Sequence, residues 1–140
     1  MVVAYENPPA LGEPLGKYSH VSRAGDLVLV AGQVGVVAGG SVAGADFRSQ
    51  MRQVFENLRG ALESTGGGLE NVMKFTTYLV SAELISQFYE VREELFPELY
   101  PSGKYPPNTL LVIDRLVKPE FLLEIEAIAY VPASGASEPA

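Results

Sequence analysis

The chain has 140 residues and a net charge of −7; hydrophobic residues make up 47% and charged ones 19%, the balance of one globular domain able to bury its own core. It has no cysteine, which excludes disulfides, thiolate metal sites and a cysteine nucleophile. The ten Lys and Arg are scattered singly, without the basic face that phosphate contacts require, so nucleic acid is not an expected partner.

Residues 1–17 are read as an irregular arm, on the strength of Pro8, Pro9, Gly12, Pro14 and Gly16. No basic segment precedes an apolar stretch there, so no secretory signal is expected and the expected location is cytoplasmic. A single folded unit is expected over 18–131, and a disordered tail over 132–140, where bulky apolar side chains are few. Tyr18 to Ala24 and Asp26 to Val34 are predicted to form a hairpin turning at Gly25-Asp26. Leu27-Val28-Leu29-Val30-Ala31 is apolar on both faces, as an interior strand would be. Runs of this kind are far too short to span a bilayer, so no membrane partner is expected.

Gly35 to Gly44 reads as a loop with Gly39-Gly40 at its tip. Asp46 can cap the helix that follows. Phe47, Met51, Val54, Phe55, Leu58 and Leu62 recur at helical spacing, up to a stop at Gly66-Gly67-Gly68. Met73 to Val80 is a predicted strand. Ser81 should start a second helix with Leu84, Phe88, Val91 and Leu95 on one stripe, closed by Pro97 and Pro101. Pro106-Pro107 hold the backbone extended into a strand over Asn108 to Ile113, and Leu122 to Val131 is the last. The order is β-β-α-β-α-β-β, an α+β domain with two helices over one face of a mixed sheet.

The last strand also speaks to assembly. Leu123, Ile125, Ala127 and Ala129 point one way; Leu122, Glu124, Glu126, Ile128 and Tyr130 point the other. If the first set meets the helices, the second is an open face mixing apolar side chains with two carboxylates. Burial against another copy of the chain explains that face better than solvent does.

Glu124 and Glu126 lie roughly 7 Å apart on one strand face. Such a pair can act as acid and base or orient a water, and it can equally be solvated or paired with Arg or Lys. Gly32-Gln33-Val34-Gly35 follows an apolar strand; it is either a bulge or a place where a ligand nears the backbone. Tyr18 can donate a hydrogen bond to a ligand, although most tyrosines are packing residues. His20, the one histidine, faces the same way and reads as a structural, hydrogen-bonded side chain. Alone it cannot supply a zinc site, so no zinc is expected.

Several stretches occur together in a telling order: Gly16-Lys17-Tyr18-Ser19, Ala31-Gly32-Gln33-Val34, Arg52-Gln53-Val54-Phe55-Glu56-Asn57-Leu58, Val72-Met73-Lys74-Phe75-Thr76-Thr77-Tyr78-Leu79 and Glu124-Ile125-Glu126-Ala127-Ile128-Ala129. Taken together the chain resembles the RidA/YjgF (reactive-intermediate deaminase) family over nearly all of its length. The resemblance implies a chorismate-mutase-like fold and a homotrimer with a small-molecule cleft between subunits. It implies hydrolysis of enamines and imines such as 2-aminoacrylate to a 2-keto acid and ammonia, with no metal or cofactor. It also makes Glu124 the catalytic group that positions water or shuttles a proton, Tyr18 the cleft tyrosine, and Gly32 a backbone contact.

The family's Pro-x-Arg-[Ser/Thr] motif falls on Pro106-Pro107-Asn108-Thr109, so Asn108 occupies the slot of the arginine that grips the substrate carboxylate. Leu110 stands where a cysteine is common, and Lys17 where a proline is. Asparagine offers a neutral amide in place of a charged, planar fork. The expected function is therefore a small-molecule hydrolase, an imine or enamine deaminase for a substrate other than the usual 2-aminoacrylate type. The alternative is a non-catalytic ligand-binding or regulatory trimer. Lys17 and Arg115 are the candidates to replace the missing charge.

Overall fold

The last strand's alternation is visible in its burial. Leu123, Ile125, Ala127 and Ala129 are at most 2% exposed, whereas Ile128 and Tyr130 are 39% and 46% exposed. In the computed structural model, which describes residues 2–132, this strand lies in the middle of everything else. The elements are β1 (Ala4–Glu6), β2 (Val21–Ala24), β3 (Leu27–Gln33), α1 (Phe47–Glu63), β4 (Val72–Leu79), α2 (Ile85–Leu99), β5 (Asn108–Val112) and β6 (Leu123–Tyr130). Six strands form one sheet in the order β1-β2-β3-β6-β4-β5. Only β4 and β5 pair in parallel; the other neighbours are antiparallel.

Helix α1 forms as its pattern requires. The Asp46 carboxylate accepts from the Ser49 backbone N–H at 2.9 Å, satisfying one of the first turn's free donors. Its stripe of Met51, Val54, Phe55, Leu58 and Leu62 is buried to 2% exposure or less. The helix ends at Glu63, and Gly66 then adopts φ 92°, a left-handed turn that glycine takes without strain. Helix α2 packs beside α1 on the same face through Phe88, Val91 and Leu95.

Three expectations are corrected. The arm over 1–17 is not wholly irregular: β1 pairs with β2, adding an edge strand to the predicted order. Three residues between polar and proline-rich neighbours carry too weak a pattern to be read. Tyr18 does not begin a strand, because residues 18–20 turn back on the arm: the Tyr18 backbone N–H donates to Gly16 O at 3.0 Å, and that of His20 to Asn7 Oδ1 at 2.9 Å. Pro97 does not close α2. It sits in the last turn of a helix that runs to Leu99, which goes without the one backbone bond that a donor at position 97 would make to Glu93 O. A short 3-10 turn, Ala82–Leu84, precedes α2, and Ser81 caps that turn through a bond from Glu83 N. Of the tail expected over 132–140, residues 133–140 lie outside the described residues.

Two buried amides fasten the loops to this frame. Gln50, 0% exposed, donates through Nε2 to Gly44 O and Glu120 O and accepts from Leu122 N, each at 3.0 Å. Asn57 donates to Val34 O and Val36 O at 3.1 and 2.9 Å. The loops so held carry a small apolar cluster of Val34, Leu116 and Phe121, against which Tyr78 packs. Substituting Gln50→Ala strands three backbone groups at once; we expect a loss of roughly 3 kcal/mol, read from the midpoint and slope of urea denaturation.

Candidate functional site

On the sheet face away from the helices, β6 presents Glu124 and Glu126 beside β3 and β4. Tyr78 is in register with Glu124, and Thr76 with Glu126. The β3–β6 ladder slips between Val30 and Gln33, and the slip brings Gly32 against Glu124. A Cβ at Gly32 would lie 2.6 Å from the Glu124 carboxyl carbon and from Oε2. Glycine is needed there because it lets the carboxylate rest on the main chain.

The two glutamates have different fates. Glu126 accepts a short hydrogen bond from the Tyr78 hydroxyl. That bond, then burial, raises the Tyr78 pKa above its ordinary value. Glu124 has no hydrogen-bond or ion-pair partner among the described residues. Burial first, and the charge of Glu126 second, raise its pKa above the usual 4.5. A half-buried carboxyl with a raised pKa and nothing attached is suited to exchange protons with a ligand or water.

Asn108 lies on the opposite face. It is in register with Phe75, and Leu110 with Thr77, so both side chains point to the helix side. Leu110 packs partly into the core, which leaves its main chain, rather than its side chain, available to a ligand. The Thr77 hydroxyl donates to Asn108 Oδ1 at 2.8 Å. Asn108 opens into a cavity of about 310 Å³ between α2 and the β4–β5 edge, walled by Phe55, Phe75, Phe88, Phe96 and Tyr105. Asn108 and Glu124 are two strands and three residues apart in register, about 10 Å in each direction, and on opposite faces. One chain does not bring them together.

Tyr18 is 46% exposed, and its hydroxyl accepts from Leu15 N at 3.2 Å. His20 is buried between Gly12 O and the Gln33 amide, at 3.1 and 3.2 Å, which fits a structural histidine. The Arg115 guanidinium donates to Leu116 O and Val117 O, both at 3.0 Å. Lys17 is exposed and makes no hydrogen bond or ion pair among the described residues.

Sequence reasoning misses Arg92, which lines the Asn108 cavity. A signal for it exists: Phe88, Arg92 and Phe96 recur every fourth residue, so they stack on one side of α2. Among the described residues, no group of three His, Cys, Asp or Glu side chains could hold a metal ion. No helix there is long and apolar enough to cross a membrane.

The raised Glu124 pKa has a signed consequence. Between the unfolded value and the higher folded one, the native state binds more protons than the unfolded state, so stability falls as pH rises through that window. The fall begins near the ordinary 4.5 and is complete above the folded pKa. Glu124→Gln should therefore raise the urea midpoint at neutral pH, with the gain vanishing below the window. A lower midpoint at neutral pH would show that the carboxylate stabilises the fold.

The family model described as Endoribonuclease L-PSP matches residues 9–131. A RutC family protein of Pyrococcus horikoshii is 36% identical over 130 residues, spanning 92% of this chain and 96% of that protein. The structure of E. coli TdcF with bound serine superimposes with a TM-score of 0.79 at 28% identity, covering 90% of this chain and 96% of that one. RidA from a Psychrobacter species gives 0.77 at 29% identity, over 88% and 95%. Sequence and fold agree on one assignment: the chain belongs to the RidA/YjgF family and has its chorismate-mutase-like fold.

Proposed function

We propose that the protein hydrolyses a small imine or enamine in a cleft completed by a second copy of the chain, with Glu124 directing the attacking water. The observation that carries this reading is Glu124 itself, half-buried against Gly32, unpartnered and with a raised pKa. In the reaction, Glu124 takes a proton from water as the water oxygen bonds to the imine carbon. The proton passes to nitrogen to give a carbinolamine; Glu124 then carries the remaining hydroxyl proton to the same nitrogen as the C–N bond breaks, and ammonia leaves behind a carbonyl. One imine and one water thus become one carbonyl compound and one ammonia, with no oxidation or reduction. An enamine enters after protonation at carbon. A positioned water and one proton carrier suffice for this chemistry.

Tyr18 and Asn108 hold the substrate in this reading, with main-chain groups of Gly32 and Leu110 completing the cleft. Because Glu124 and Asn108 face away from each other, they can share a cleft only if neighbouring subunits supply one each. The open face supports assembly: Leu27 and Leu29 are 46% and 44% exposed there, beside Ile128 and Tyr130. Three copies, as the resemblance implies, would cover those side chains. The relative described with bound serine supports a ligand of amino-acid size.

Turnover of 2-aminoacrylate and a panel of imino acids generated in situ tests the chemistry. Glu124→Gln should lower the rate about a hundredfold or more; an unchanged rate removes Glu124 from the mechanism. Gly32→Ala should also lower it while leaving the urea midpoint in place, because the added methyl meets the end of a flexible side chain. For the shared cleft, inactive Glu124→Gln and Asn108→Ala proteins are unfolded and refolded together. Activity above either parent is expected. No recovery, with mixed oligomers verified by mass spectrometry, would confine the site to one chain.

A further inference from the structure

Beside the seat of Glu124 lies a second set of buried polar groups that the proposed hydrolysis does not use. Between the pairs Val30–Ala127 and Gln33–Ile125, β3 has two residues, Ala31 and Gly32, where β6 has one. Such a bulge disrupts the ladder locally and re-aims the side chains around it. Gln33, 4% exposed, closes this one: its Nε2 donates to Ala31 O at 3.1 Å. That bond spans Gly32, the residue against which the Glu124 carboxylate rests.

His20, 7% exposed, holds the bulge twice. Its carbonyl accepts from Ala31 N at 2.8 Å, and its ring Nδ1 lies 3.2 Å from Gln33 Nε2. The chemistry of the partners fixes where the protons are. Ala31 O can only accept, so the Gln33 amide must turn its nitrogen toward it. The same nitrogen gives its other hydrogen to Nδ1, which must therefore carry a lone pair. The proton of the neutral imidazole is left on Nε2, where it meets Gly12 O at 3.1 Å, again a group that only accepts. Both sides of the ring require the same tautomer. The arm, the imidazole, the Gln33 amide and the bulge thus form one joint that ends at Gly32.

We infer that His20 and Gln33 are positioning residues for Glu124: the imidazole, with its lone pair on Nδ1, holds the Gln33 amide across the bulge, and the bulge holds the carboxylate. Both act through the main chain rather than by touching substrate. Without the amide, Ala31 O loses its donor and the main chain at Gly32 relaxes away from Glu124, admitting water. A small displacement of the group that directs the attacking water is costly in rate. The inference rests on the proposed function for its effect on rate, and on geometry alone for the joint itself.

The chain has one histidine, so the ring nitrogens of the 15N-labelled protein report a single imidazole. At neutral pH the proton should be found on Nε2; a proton on Nδ1 overturns the assignment. Gln33→Met keeps the side chain's length and donates nothing. In that variant Glu124, held above its ordinary pKa first by burial, should titrate at lower pH in a 13C spectrum of labelled glutamates, because the loosened seat admits water. Glu126 and Tyr78, the titratable groups beside it, are left in place. A Glu124 titration unmoved from the parent's also overturns the assignment. In turnover, Gln33→Met should lower kcat roughly tenfold with KM nearly constant. His20→Gln, which keeps an acceptor and a donor, should retain more of kcat than His20→Leu; equal losses count against the joint. Urea denaturation checks that each variant is folded, and the parent's tautomer decides the matter even where a variant is not. A moved Glu124 titration in a protein that turns nothing over would sink the hydrolase reading and leave the joint standing. Turnover with kcat unaltered in Gln33→Met would do the reverse.

Discussion

Strand β6 runs antiparallel to β3 on one side and β4 on the other, and the period-two alternation of its side chains is what the remaining structure accommodates. Its small and branched residues, Ala127, Ala129 and Ile125, form a floor on which α1 lies, with α2 beside it. The intervening residues are thereby forced to the opposite face, whatever their chemistry. Two carboxylates thus sit in the middle of a sheet rather than at its rim. No loop is needed to carry them there.

Among the polar groups of that face, position decides role. Glu126 is held by Tyr78 and behaves as a fixed acceptor. Glu124, one pleat along, is pressed against a glycine and left without a partner. Burying a carboxylate in this way costs stability, and such a cost commonly marks a working site, where a fully satisfied group would be inert. The ribonuclease wording attached to the matching family model has no counterpart in the charge distribution. Five of the six arginines are engaged with carboxylates or carbonyls, and the chain's net charge of −7 opposes a phosphate chain.

Much of this is legible in the amino-acid sequence. The β6 alternation, the Asp46 cap, the α1 stripe and the open apolar face all rest on periodicity, which local sequence reports well. The hidden features depend on contacts distant in sequence. Strand β1 is defined by its partner, not by its own three residues. Gln50 and Asn57 sit at ordinary helix positions, and nothing local says that their amides are buried to hold loops. The separation of Asn108 from Glu124 follows from the parallel register of β4 and β5, which no spacing in one strand reveals. Arg92 escapes notice because a charge on a helix is usually a solvated one, and its significance comes from the cavity below it.

The sheet order has a consequence for the way the chain assembles. The first three strands, β1 to β3, and the later pair, β4 and β5, are not neighbours; β6 joins them. Until that strand arrives, each group carries an unpaired edge, and the Gln50 amide lacks its contacts at Glu120 and Leu122. The last strand made must therefore be inserted between two ribbons already synthesised. Closing contacts of such long range is slow, and the waiting edges are open to pairing with other chains. In a living cell the period before β6 docks is when this domain is most exposed to aggregation.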